Sequence, residues 1–391
     1  MTPAARLQAA IEILDEVIAS ARDDGPPADS IVTRYFKVRR YAGSGDRRAV
    51  REIVFRAIRR SGERPLSGRA AVLGLVEDQP DLAELFGQPR GPEPVREGEE
   101  PSQARVVPEW IEAELSPLVT PDELPALLER APVDLRVNIG RTSREAMLSE
   151  FPGAQPTMIS PWGIRLSPDS KVDDHPAFAD GRVEIQDEGS QLIALVCQAQ
   201  PGQLIVDLCA GAGGKALALA AASNNQATII ASDTNRARLS KLPARAERAG
   251  ANIATRLLDG GREAQQLADL AGTADVVLVD APCSGSGTWR RSPEGRWRLT
   301  PERLTRLLAL QSRLLDIAAP LVKPGGRLVY AVCSILSREG AGQTAAFLSR
   351  HSSWMVEETG LNAGRSDGTG RLLTPAQNST DGFFVASLIR K

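Results

Sequence analysis

A mostly parallel α/β domain preceded by an all-helical domain is the architecture predicted for this chain of 391 residues, and three observations carry it. From Gln186 onward, short apolar runs alternate with helical patterns: Leu204 to Leu208, Thr228 to Ser232, Val276 to Asp280, Arg327 to Val332 and Phe383 to Ile389. Such alternation is the signature of βαβ units. The first run ends in a glycine-rich turn before the apolar helix Ala216 to Ala222. Ahead of all this, Leu7, Ala10, Ile11, Leu14, Val17 and Ile18 repeat with helical spacing.

Taken in order, residues 1–87 read as a helical domain, in which Gly43-Ser44-Gly45-Asp46 breaks one helix and starts the next. The Pro/Glu/Gly-rich stretch 88–107 reads as an exposed linker. Residues 108–185 combine a helical connector with a small α+β module opened by the strand Pro132 to Asn138, and 186–391 form the α/β domain. Hydrophobic residues at 42% and charged ones at 25% are ordinary for a globular protein. No apolar stretch approaches the roughly 18 residues of a membrane span, and the N-terminal run is broken by Glu12, Asp15 and Glu16, so the cytosol is the expected location. The four cysteines include no C-x-x-C pair and only two histidines are present, which argues against zinc and disulfide frameworks.

A net charge of −2 conceals an uneven distribution. Between Thr33 and Arg69, 12 Lys or Arg residues face 3 acids, with Arg47 and Arg48 among them. A second cluster, Arg290, Arg291, Arg296, Arg298, Arg303 and Arg306, is interleaved with Trp289 and Trp297. Basic stripes with aromatics suit phosphate contacts and base stacking, although the excess of 41 Arg over 6 Lys accounts for part of the first stripe by composition alone.

The glycine turn is Asp207-Leu208-Cys209-Ala210-Gly211-Ala212-Gly213-Gly214-Lys215. Glycines between a strand and a helix let backbone approach a ligand closely, and the helix start offers free N–H groups. A phosphate loop is excluded because Cys209 stands where its first glycine belongs and Ala216 where its hydroxyl belongs. Asp233, at the end of the second run, sits where a carboxylate accepts ribose hydroxyls. These motifs suit a nucleotide-like cofactor without choosing between NAD and S-adenosylmethionine.

Two thiols choose. Cys283, in Asp280-Ala281-Pro282-Cys283-Ser284-Gly285-Ser286-Gly287, and Cys333 each follow an apolar run and so belong at strand ends, where an open α/β sheet binds ligands. Methylation at C5 of a pyrimidine requires a thiolate to add at C6, because C5 alone is a poor nucleophile; this is covalent catalysis. A free thiol has a pKa near ~8.5, so its surroundings must favour the thiolate.

In these motifs the segment Gln186 to Lys391 resembles the RNA cytosine-5 methyltransferases of the RsmB/Nop2/Sun family: the Asp207–Lys215 turn, Asp233, Leu258-Asp259-Gly260, Asp280-Ala281-Pro282-Cys283 and Tyr330-Ala331-Val332-Cys333-Ser334-Ile335 all appear in order. Tyr41 to Arg48, Ile53 to Arg56 and Asp134 to Asn138 are similar to the bacterial RsmB branch. The resemblance implies a Rossmann-like methyltransferase domain with a seven-stranded, mostly parallel sheet whose last strand is antiparallel, behind an RRM-like module and a NusB-like helical domain. It implies Cys333 as nucleophile, Cys283 as the thiol assisting release and Asp280 as a further catalytic group. S-adenosylmethionine would be held by Cys209, Ala210, Gly211, Ala212, Gly213, Gly214, Lys215, Asp233, Arg238, Asp259 and Asp280. RNA would be held by Arg290, Arg291, Arg296, Arg298, Arg47 and Arg48. The expected substrate is small-subunit (16S) rRNA, with tRNA as the alternative and a non-catalytic RNA assembly factor as the reading from another class; a monomer without metal or membrane is expected. Ala212, Ala216 and Val332 depart from the family's usual Pro, Thr and Thr. Cys209 is read as packing and Cys197, near Leu192, Ile193 and Leu195, as core.

Overall fold

The computed structural model describes residues 1–23 and 25–391, which form two compact units. One unit comprises Met1–Leu115, Thr120–Glu129 and Thr288–Pro301; the other comprises Ser116–Val119, Arg130–Gly287 and Glu302–Lys391. Among the described residues no helix is long and apolar enough to cross a membrane.

The first unit is built on helices α1 (Pro3–Arg22), α2 (Ala28–Lys37), α3 (Ser44–Arg60) and α4 (Gly68–Asp78). Thr2 caps α1 by accepting from the Ala5 N–H, with Pro3 at the first helical position, where its missing N–H costs nothing. Gly43 precedes α3 and its N–H donates to Asp46, the break-and-start read from the sequence. Leu7, Ile13, Leu14, Val17, Ile31, Val54 and Ile58 form the core of this unit, together with Trp297. The stretch 88–107 is mostly exposed and is tied to the helices: Arg69 donates to the carbonyls of Glu93 and Pro94 and pairs with Glu99, and the Ser102 N–H donates to Ala70 O. An arginine with three carbonyl or carboxylate partners holds what composition alone marks as loose.

The second unit has two sheets. A small antiparallel one contains β1 (Val133–Val137), β2 (Gln155–Pro156), β3 (Gly163–Leu166) and β4 (Val183–Ile185), in the order β2-β3-β1-β4. The large one contains β5 (Leu204–Asp207), β6 (Thr228–Asp233), β7 (Ile253–Leu257), β8 (Ala274–Asp280), β9 (Val322–Val332), β10 (Trp354–Glu357), β11 (Arg365–Asp367), β12 (Gly370–Leu373) and β13 (Phe383–Arg390). β5 pairs in parallel with both β6 and β8, β6 with β7, and β8 with β9. The chain therefore builds outward to β7, then returns to the other side of β5, which opens a crevice at the carboxyl ends of the strands.

Among the described residues the sheet has nine strands rather than the expected seven. β13 runs antiparallel to β9, as expected, but its other edge is shared by β12, along Phe383 to Val385, and β10, along Ser387 to Arg390, with β11 added beyond β12. Two short strands thus do the work of one, and neither announces itself because edge pieces of four residues carry little periodicity. The core of this unit sits between Ile205, Ile229, Ala231, Val276, Leu278, Val329, Ala331 and Val385 of the strands and the apolar faces of helices Glu188–Val196 and Gly214–Ala222. Cys197 is fully buried there. The domain division also differs from the expected one: the β1–β4 module clusters with the large sheet, and Thr288–Pro301 clusters with the helices.

Candidate active site

Parallel strands end on the same side, so Asp207, Asp233 and Asp280 close β5, β6 and β8 at one edge, and Cys333 follows the last residue of β9 there. The Cys283 and Cys333 sulfurs lie 3.4 Å apart with both thiols free. Their loops are tied together: Gly287 N–H donates to Cys333 O, the Ser286 and Ser334 hydroxyls are 3.0 Å apart, and Ile335 N–H donates to Ser286 Oγ. The Cys283 thiol is held well above the ordinary thiol range, first by its hydrogen bond with Cys333 and then by burial. Lys215 Nζ lies 2.7 Å from Asp280 Oδ2. Burial alone would pull this lysine down, but Asp280 and then Cys333 outweigh it and raise the group, so it is a cation beside the thiol pair.

The turn between β5 and helix Gly214–Ala222 takes its shape from backbone that only glycine adopts readily. Gly211 and Gly213 have φ of +56° and +85°; a Cβ on the first would strike the Arg238 guanidinium, and on the second the Leu242 side chain. Asp233 does not cap the next helix. Its Oδ2 accepts the Gly211 N–H and its Oδ1 the Asn235 N–H, both at 2.7 Å, while Asn235 itself caps Arg236–Leu239. Arg245 donates to Ala212 O at 2.6 Å and pairs with the buried Glu184 of β4, so the small module also grips the turn. Asp259 is exposed and exchanges hydrogen bonds with Gln266. Cys209 is half-buried, and burial followed by three neighbouring carboxylates pushes its thiol well up.

S-adenosylmethionine fits this donor set on one observation in particular. Asp207 is 1% exposed, and among the described residues neither carboxylate oxygen finds a hydrogen-bond partner. Burial, and then the nearby Asp280, raise its pKa to about 7. An orphaned buried carboxylate is costly unless a ligand uses it, and a cationic ligand would.

The residues expected to hold RNA divide. Arg47 and Arg48 are exposed on α3. In the second cluster, Arg306 is exposed, but Arg296 is 1% exposed and donates to the carbonyls of Ile58 at 2.5 Å, Arg59, Val106 and Pro293, while Arg298 donates to those of Gly25 and Pro26. Trp289 and Trp297 are buried, with Trp297 Nε1 donating to Ser61 O, and Arg290 is buried and Arg291 half-buried. Trp297 fills a helical core that Arg296 and Arg298 cap, because a planar guanidinium can satisfy several orphan carbonyls at once. In the first stripe, Arg34, Arg51, Arg60 and Arg69 are neutralised by Glu16, Asp29, Glu77 with Asp78, and Glu99.

Sequence reasoning missed Glu339 and Gln311, both fully buried beside the Cys283 loop. Neither lies in a glycine turn or follows a strand, so no local signal marks them.

A family model described as 16S rRNA methyltransferase RsmB/F matches residues 194–389, half of the chain. The chain belongs to this family. Among curated relatives, Ribosomal RNA small subunit methyltransferase B of Salmonella arizonae is 35% identical over 267 residues, covering 67% of this chain and 61% of that protein. The protein of the same name from Enterobacter sp. is 34% identical over 292 residues, covering 73% and 66%. The RsmB/F-family chain thus spans a little under two thirds of the length of these relatives. The crystal structure of PH0851 shares the fold over 100% of this chain and 99% of that one, with TM-score 0.76 and 24% identity.

Proposed function

We propose that this RsmB/F-family protein transfers a methyl group from S-adenosylmethionine to C5 of a cytosine in small-subunit ribosomal RNA. The observation that carries the reading is the pair of free thiols 3.4 Å apart at the ends of two strands, beside the Lys215–Asp280 ion pair. The names of the curated relatives support ribosomal RNA as substrate. The cofactor, when bound, supplies an electrophilic methyl group. Asp207, the Gly211–Gly214 turn and Asp233 would hold it, with Arg238 and Asp259 at the rim.

Cys333 is the group that adds to C6, as its thiolate; the new S–C6 bond moves electron density onto C5, the carbon to be methylated. The Lys215 ammonium stands beside the thiol pair as a cation. After methylation the C5 proton leaves to water, the S–C6 bond breaks and the sulfur departs as thiolate. Cys283, held protonated, donates S–H to that departing thiolate. C6 of a paired cytosine is covered by its stack, so the target base is taken from a loop or turned out of a stem at a cost of a few kcal/mol.

Transfer of labelled methyl groups to small-subunit rRNA tests the assignment. C333A should lose activity by about 10³-fold or more, as removal of a covalent nucleophile does. Full activity in this variant, or transfer to purified tRNA in preference to rRNA, would reject the corresponding part of the reading.

A further inference from the structure

We infer that Glu339, with Gln311, is the positioning residue of the Cys283 thiol. Both neighbours of Cys283 in the chain are bound by this couple. On one side the Ser284 N–H donates to Glu339 Oε1 at 2.8 Å and the Ser284 hydroxyl donates to Glu339 Oε2. On the other, Gln311 Nε2 donates to Pro282 O at 3.0 Å while donating to Glu339 Oε1 at 2.9 Å. The couple is rigid at its own ends. Glu339 is 0% exposed and its backbone carbonyl accepts the Tyr330 hydroxyl at 2.7 Å; Gln311 is likewise 0% exposed, on the long helix Pro301–Ala318.

A fully buried carboxylate is costly to maintain as a spacer, because an apolar side chain would fill the same volume without desolvation. Its value lies in what it fixes. Glu339 stands six residues beyond Cys333 in the chain, on the loop that follows the nucleophile, and reaches the loop that carries the second thiol. One side chain thereby sets the separation of the two sulfurs, supplemented by the Ser286–Ser334 contact. The Cys283 proton is held first by the hydrogen bond with Cys333 and by burial, and the charges of Cys333 and then Glu339 add to this, with the neutral Tyr330 hydroxyl nearby. Position and protonation are the two properties that a donor to a departing thiolate needs.

The inference rests on the reading that Cys283 serves release, and the test separates the two. Wild type, C283A, E339Q and Q311L, all as full-length chains, are mixed with rRNA and S-adenosylmethionine. The denaturation-resistant protein–RNA adduct is quantified, and iodoacetamide labelling is resolved by peptide across a pH series. Cys197, fully buried, reports folding: a variant in which it stays unlabelled is intact. In an intact E339Q or Q311L the adduct should rise about tenfold, the scale of one lost buried hydrogen bond, and in E339Q the labelling midpoint of Cys283 should move to lower pH. An adduct and a Cys283 labelling profile both at wild-type values in the intact variants would overturn the inference. If C283A forms no adduct, the release reading fails, while the labelling midpoint in E339Q still decides whether Glu339 governs this thiol.

Discussion

Asp207 shows how much one side chain can reveal once its surroundings are known. An aspartate ending a strand could cap, pair or do nothing; here both oxygens are buried and lack partners among the described residues, and its pKa is raised to about 7. A raised carboxyl pKa stabilises the fold fully only below the ordinary carboxylate range, and that contribution is lost as pH rises through about 7. The cofactor-free protein should therefore lose thermal stability between about pH 4 and 7 in a way that D207N does not, as melting curves would show. S-adenosylmethionine carries positive charge and favours the ionised form. Calorimetry in buffers of different ionisation enthalpy should detect proton release on binding near pH 6, roughly one pH unit below this group's pKa, and the D207N variant should lack it. The paired thiols were legible at this scale, since Cys333 and Cys283 each follow an apolar run. Glu339 was not, because its role depends on Ser284, 55 positions earlier.

At the scale of elements, the parallel strands β5, β6, β8 and β9 and the antiparallel β13 were legible because each buries a continuous apolar run. The strands β7, β10, β11 and β12 were not, since each is too short to show a period or has half its residues facing solvent. The glycine turn is the most constrained local feature, and its constraint is testable. G213A places a Cβ at φ +85° against Leu242 and should cost about 1–3 kcal/mol in urea unfolding. Cofactor affinity should fall with it, because the turn and the start of helix Gly214–Ala222 would shift together.

For the molecule as a whole, charge pattern and charge use diverge. Arg296 and Arg298 read as a basic, aromatic-flanked stripe, yet they donate to carbonyls within the helical unit. Burial lowers the Arg296 pKa to about 9, the mark of a cation deprived of water. R296M should destabilise that unit by about 3 kcal/mol in chemical denaturation, since it orphans several carbonyls. It should leave the salt dependence of RNA binding unchanged. Exposed Arg47 and Arg48 should behave oppositely: R48A should reduce the slope of log Kobs against log salt by about one, with little change in stability. An unchanged slope in R48A and a reduced one in R296M would reverse this division.

By itself, the sequence determined the α/β class, five of the strands of the large sheet and the residue types at their ends, because apolar periodicity, glycine turns and strand-end chemistry are local and survive in one dimension. The family resemblance followed from the same local motifs, and the match to the RsmB/F family over residues 194–389 bears it out. Only the tertiary structure decided which charges face solvent, which carboxylate lacks a partner, and that Glu339 and Gln311 enclose the Cys283 loop. Those properties depend on burial and on contacts between residues tens to hundreds of positions apart, where the free energy of a charge is set by its surroundings and not by its neighbours in the chain.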